Sequence, residues 1–235
     1  MKTIGIIGGM SWQSTVIYYQ QINEAVQRRL GGHHSAKIIL YSVDFADIVA
    51  RQHEGDWKGA TEVLVRAVVS LRDGGAELII IATNTMHRMA DAIMDASGLP
   101  LVHIADATGD AITAGGLRRP LLLATKFTME EEFYKGRLKD RHGLEPVVPS
   151  ADDRMQVHRI IYDELCQGQV LPGSRKAMQE IMSRYDPVCD SVILGCTEIT
   201  MLISQKDTSL PVFDTTQLHA EAAVVFALGG KEISL

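Results

Sequence analysis

The sequence predicts an α/β protein of two pseudo-symmetric lobes, each a mainly parallel sheet flanked by helices, with the active site in the cleft between them. Three observations carry the prediction. First, short apolar runs alternate with amphipathic segments along the whole chain, the pattern of strand–helix–strand units with right-handed crossovers. Second, most of the runs are continuously apolar rather than alternating, which marks strands buried on both faces. Third, two strand-plus-turn segments recur. Thr3–Met10 (TIGIIGGM) pairs with Pro120–Phe127 (PLLLATKF), and Ile79–His87 (IIIATNTMH) pairs with Val192–Thr200 (VILGCTEIT). Gly9 to Thr83 spans 74 residues and Thr125 to Cys196 spans 71, so the second half reads as a duplicate of the first.

In order, the strand candidates are Thr3–Ile7, Lys37–Ser42, Leu78–Ala82, Leu101–His103, Pro120–Ala124, Glu145–Val148, Ser191–Leu194 and Pro211–Phe213. Helices lie between them. Ser14–Leu30 carries Ile17, Ile22 and Val26 near one face. Trp57–Asp73 sets Ala60, Val63, Leu64, Ala67, Val68 and Leu71 at helical spacing and stops at Gly74-Gly75. Met86–Ala96 has helix-forming composition with Gly98 as its stop. The expected division is residues 1–104 with 211–235 as lobe one and 105–210 as lobe two. In open α/β sheets ligands bind beyond the carboxyl ends of the strands, so related lobes facing each other place Thr83 and Cys196 across one cleft.

The 235 residues suffice for two lobes of about 100 residues each. A net charge of −6 with no Lys/Arg block argues against a nucleic-acid surface. No apolar run reaches the length of a membrane span, and the apolar N-terminus breaks into glycines too early for a secretory signal. Three cysteines, Cys166, Cys189 and Cys196, imply no disulfide framework and suit a reduced, cytoplasmic protein. The eight histidines show no metal-ligand spacing, so no metal is expected.

Chemistry concentrates at the strand ends. Val192–Gly195 turns into Cys196-Thr197-Glu198, which reads as a helix start. The helix dipole and nearby N–H groups there favour thiolate, and Glu198 opposes this if it points at the sulfur. Thr83-Asn84-Thr85 stacks three polar side chains at the end of Ile79–Ala82. Asn84 and Thr85 suit helix capping or anion holding, and His87 lies one helical turn on. The glycine loop Gly5–Met10 is neither a dinucleotide fingerprint nor a phosphate loop, although its N–H groups can hold a carboxylate.

The motifs Gly8-Gly9-Met10-Ser11-Trp12, Gln52-His53-Glu54-Gly55-Asp56-Trp57, Asn84-Thr85-Met86-His87 and Gly195-Cys196-Thr197-Glu198 span nearly the whole chain. Together they resemble the PLP-independent aspartate/glutamate racemases, with Cys-Thr-Glu in the form of the aspartate branch. The resemblance implies racemisation of an acidic amino acid without a cofactor, in a homodimer. It implies catalytic groups at Thr83 and Cys196 on opposite faces of Cα. Met10, Gln52, Asn84, Thr85, Thr125 and Thr197 would bind substrate, and His87 and Glu198 would assist. The family's first motif is Cys-Asn-Thr, so Thr83 stands where a cysteine is expected. Ile48 and Cys166 stand where aspartate racemases tend to carry an arginine and a lysine. An unequal Thr83/Cys196 pair follows, with preference for the L enantiomer. The alternatives are a one-cysteine carbanion enzyme, such as a malonate-type decarboxylase, and a non-catalytic amino-acid-binding protein.

Overall fold

The computed structural model describes residues 1–230. The chain forms two compact units, Met1–His103 with the segment from His219 onward, and Ile104–Leu218. In the first, β1 (Ile4–Gly8), α1 (Trp12–Leu30), β2 (Ile38–Ser42), α2 (Phe45–Glu54), α3 (Trp57–Asp73) and β3 (Leu78–Ile81) precede a 3-10 turn over Thr85–Met89 and α4 (Ala90–Ser97). In the second, α5 (Ile104–Ala114), β4 (Pro120–Ala124), α6 (Lys126–Glu130), α7 (Glu132–His142) and α8 (Ala151–Arg159) run into a π-helical turn, Ile160–Glu164, and a 3-10 turn, Leu165–Gln167. Next come α9 (Pro172–Tyr185), β5 (Ser191–Gly195), two short 3-10 turns, β6 (Val212–Asp214) and α10 (Thr215–Ala227).

All strand pairs are parallel, in the orders β2-β1-β3 and β4-β5-β6. A single bridge sets Leu101 beside Ile79 of β3, and another sets Val147 beside Leu121 of β4. Each unit therefore has four chain segments in one row, and the two rows share one order. The expected strands Leu101–His103 and Glu145–Val148 shrink to these bridges. β1, β3, β4 and β5 are buried throughout, as their unbroken apolar runs require. β2 departs from that expectation. It is an edge strand, half-buried at Ile38 and exposed from Leu40 on.

The return of the chain also differs from the sequence-based boundary. β6 hydrogen-bonds β5, which keeps Pro211–Leu218 with the second unit, and the first unit resumes at His219. From there α10 packs Ala220, Ala223, Val224 and Ala227 against Ile4, Ile6, Tyr18 and Ile80. In the second unit α5 contributes Ile104, Ala105 and Ile112 to the core built on β4 and β5.

Local chemistry sets the helix ends. Ser11 caps α1 by accepting from the Ser14 N–H, and Asp56 caps α3 through the Gly59 N–H at 2.9 Å. Gly9 has φ +89°, and a Cβ there would lie 2.3 Å from the Val43 carbonyl oxygen, so only glycine fits this turn.

Candidate active site

At the end of β5, Cys196 is still extended (φ −151°, ψ 130°) and half-buried. The Cys196 thiol donates to Glu198 Oε2, in the 3-10 turn that follows, at 2.9 Å. Glu198 is itself buried. Burial first, then the facing carboxylate and the neighbouring Cys166, push the Cys196 thiol well above its usual pKa. The dipole-stabilised thiolate expected from sequence is thus corrected. Thr197–Met201 is a five-residue 3-10 turn, too short for a strong dipole, and Cys196 rests as a thiol.

Behind this pair the π-helical turn carries Tyr162, and the next turn carries Cys166. Burial pushes both upward in pKa, and Glu198 acts on both in the same direction. The Tyr162 ring packs tilted against His158, with centroids 4.7 Å apart. One-turn π bulges recur at functional sites. No period in the sequence marks this one.

Thr197 is buried and accepts a hydrogen bond from Thr216 at 3.0 Å. Thr125 lies beside Cys196, because Ala124 of β4 is in register with Gly195. Thr125 caps α6, its hydroxyl accepting weakly from the Thr128 N–H at 3.4 Å.

In the first unit Thr83 follows β3 and is half-buried. Its N–H donates to Ile81 O, and its carbonyl accepts from His87 Nδ1, both at 2.8 Å. Asn84 and Thr85 are buried beside it. Asn84 makes no helix-capping side-chain bond, and the segment winds as a 3-10 turn before α4. That corrects its expected capping role.

Met10 follows β1 and packs in one apolar cluster with Ile48 and Met86. Gln52, one turn after Ile48 on the buried face of α2, donates to Met86 Sδ at 3.2 Å. The Gly9 N–H donates to Thr15 Oγ1 at 2.8 Å, so the glycine turn spends this donor on its own fold and not on a carboxylate. Each unit thus brings its own motifs together: Met10, Gln52, Thr83, Asn84, Thr85 and His87 in the first, Thr125, Cys196, Thr197 and Glu198 in the second. Sequence reasoning missed Tyr162, His103 and His219. His219 stands alone in an alanine-rich helix and carries no motif. Among the described residues, no group of three His, Cys, Asp or Glu could hold a metal. No helix among them is long and apolar enough to cross a membrane.

Residues 7–223 of the chain match the model of a known family, Asp/Glu/Hydantoin racemase. The chain belongs to that family. It is therefore a PLP-independent isomerase of the amino-acid racemase type, and its two units have the two-lobed racemase fold. A Yersinia pestis protein assigned as an Asp/Glu racemase is 51% identical, with TM-score 0.90, and the match covers 97% of this chain and 100% of that one. An aspartate racemase homologue from Pyrococcus horikoshii is 35% identical over the same shares, with TM-score 0.84. The Bacillus subtilis broad specificity amino-acid racemase RacX is 21% identical, covering 94% of this chain and 96% of its own.

Proposed function

We propose that the protein racemises an acidic amino acid at Cα, with Cys196 serving one face and Thr83 the other. The observation that carries this reading is the thiol–carboxylate hydrogen bond between Cys196 and Glu198. A resting thiol is a proton donor. To act as a base, it passes its proton along the existing hydrogen bond to Glu198, and the thiolate so formed removes the Cα proton. Among the described residues no carboxylate hydrogen-bonds Thr83, and its hydroxyl is a far weaker acid. It donates a proton, directly or through water, but is a poor base. Proton removal is therefore unequal on the two faces, and the L enantiomer is the one expected to exchange its Cα proton faster.

Asn84, Thr85 and Thr197 supply amide and hydroxyl donors for the substrate carboxylate and its developing charge. Met10 and Gln52 shape the substrate side-chain region, and Thr125 borders Cys196. The family description names aspartate and glutamate, which are the first substrates to test. The setting proposed is cytoplasmic, with a homodimer as the assembly.

The test is solvent deuterium wash-in at Cα, run separately on each enantiomer of aspartate, glutamate and a panel of neutral amino acids. Inversion is expected from either enantiomer, with exchange without inversion faster from L than from D. No exchange with any of these substrates would refute the reading. Carbon dioxide release from a substituted malonate would replace it with the decarboxylase alternative.

A further inference from the structure

Four polar side chains are buried together in the first unit, and the mechanism above uses none of them. Tyr18 comes from α1, His87 from the turn after β3, His103 from the segment after Leu101, and His219 from α10. All are at most 5% exposed. The His219 Nε2 lies 2.7 Å from the Val102 carbonyl. A carbonyl only accepts, so Nε2 carries the hydrogen, and Nδ1 is left to accept from the Tyr18 hydroxyl at 2.9 Å. Burial drops the His219 pKa to about 4, which keeps the ring neutral and in that tautomer. The His87 ring packs 4.6 Å from His103 and 5.4 Å from His219, centroid to centroid. By the same reasoning its Nδ1 is the donor to the Thr83 carbonyl.

We propose that His87 is a positioning residue that fixes the Thr83 turn, and that His103, His219 and Tyr18 form the buried brace that fixes His87. The assignment rests on the reading of Thr83 as the group serving one face of Cα. Thr83 is held at both main-chain polar groups, through Ile81 O and His87 Nδ1. With its backbone fixed, the threonine hydroxyl has a set origin and a small choice of rotamers. His87 cannot swing away without displacing two other buried rings. Packing alone would be met by leucine or phenylalanine, since burying imidazole without hydrogen bonds is costly. A satisfied buried polar network instead gives rigidity and a single geometry. That is what a weak acid such as a threonine hydroxyl requires, because only its placement can be improved at neutral pH.

The assignment predicts an effect on one face only. Exchange without inversion at the Cys196 face uses Cys196 and Glu198, whereas inversion also needs Thr83. In His87→Ala, inversion should fall about tenfold or more, while exchange without inversion stays within about twofold. His87→Asn places an amide N–H near the Nδ1 position and should restore most of the inversion rate. If His87→Ala does not fold, Tyr18→Phe removes a single hydroxyl from the brace and should show the same split at smaller amplitude. Equal loss of both rates would overturn the proposal, as would no loss, or an asparagine variant no better than alanine. Absence of exchange in the unmutated protein is a separate outcome. It would remove the racemase reading and this assignment with it.

Discussion

Glu198→Gln is the most direct probe of the thiol at the end of β5. The carboxylate oxygen sits 2.9 Å from Cys196 Sγ. At that distance and an effective dielectric of about 20, charge repulsion against a thiolate is at most about 6 kcal/mol. Removing the charge should lower the Cys196 midpoint. The midpoint should nonetheless stay above the ordinary thiol value of about 8.5, because burial, the larger cause, is unchanged. The assay is thiolate absorbance against pH, with Cys196→Ala/Glu198→Gln as the control that subtracts Cys166 and Cys189. Racemisation should fall even as the thiolate fraction rises, since glutamine cannot take the proton. A midpoint that does not move, or moves up, would refute the electrostatic account. A lowered midpoint with undiminished turnover would refute the proton-acceptor role of Glu198.

Two further tests follow from the same geometry. Thr83→Cys should raise racemisation by supplying a second titratable group, while Cys196→Ala should lower it about 100-fold or more, both read from inversion kinetics. In the second unit Asp106 takes two hydrogen bonds of 2.6 Å from Arg137. Burial there would raise its pKa, but Arg137, His142 and Arg141 outweigh it and hold the carboxyl below its ordinary value. A depressed folded-state pKa gives stability that is present above pH about 4 and lost as pH falls through the lower folded value. Asp106→Asn should remove about 1–2 kcal/mol at neutral pH and flatten that acid limb in urea titrations. An unchanged midpoint at pH 7 would count against it.

The strands buried on both faces were the most legible elements. Pro120–Ala124 and Trp57–Asp73 form with the limits read from sequence. The apolar run of β4 is unbroken, and in α3 the buried residues recur at helical spacing before a glycine pair. β2 was harder, because an edge strand has the same composition as a central one until its neighbours are known. Leu101 and Val147 lie at the outer positions of their rows, where a short run pairs at a single point. The direction of Glu198 was ambiguous for a local reason. Cys196 is extended while Thr197 already starts a 3-10 turn, and neither a strand nor a helix period fixes where Glu198 points across that junction. The π-helical turn and the histidine brace were not legible at all. The first has no periodic signature, and the second joins four segments from Tyr18 to His219 whose meeting is a property of the fold.

The two units share strand order and place a polar turn at the same sheet position, yet they have built different support around it. After β5 the support is electrostatic, a buried carboxylate on a thiol with a second thiol and a tyrosine behind it. After β3 it is steric and uncharged at His219, a set of packed rings holding a backbone carbonyl. Under the proposed mechanism the difference suits the two acids. A thiol ionises close enough to neutrality that a neighbouring charge changes what it does. A threonine hydroxyl does not, so the surrounding structure acts on it through position alone. Exchanging the residue without its support should therefore give only part of the new chemistry. Thr83→Cys would place a thiol on the histidine brace with no carboxylate to receive its proton. The gain it brings should remain below what Cys196 and Glu198 achieve together.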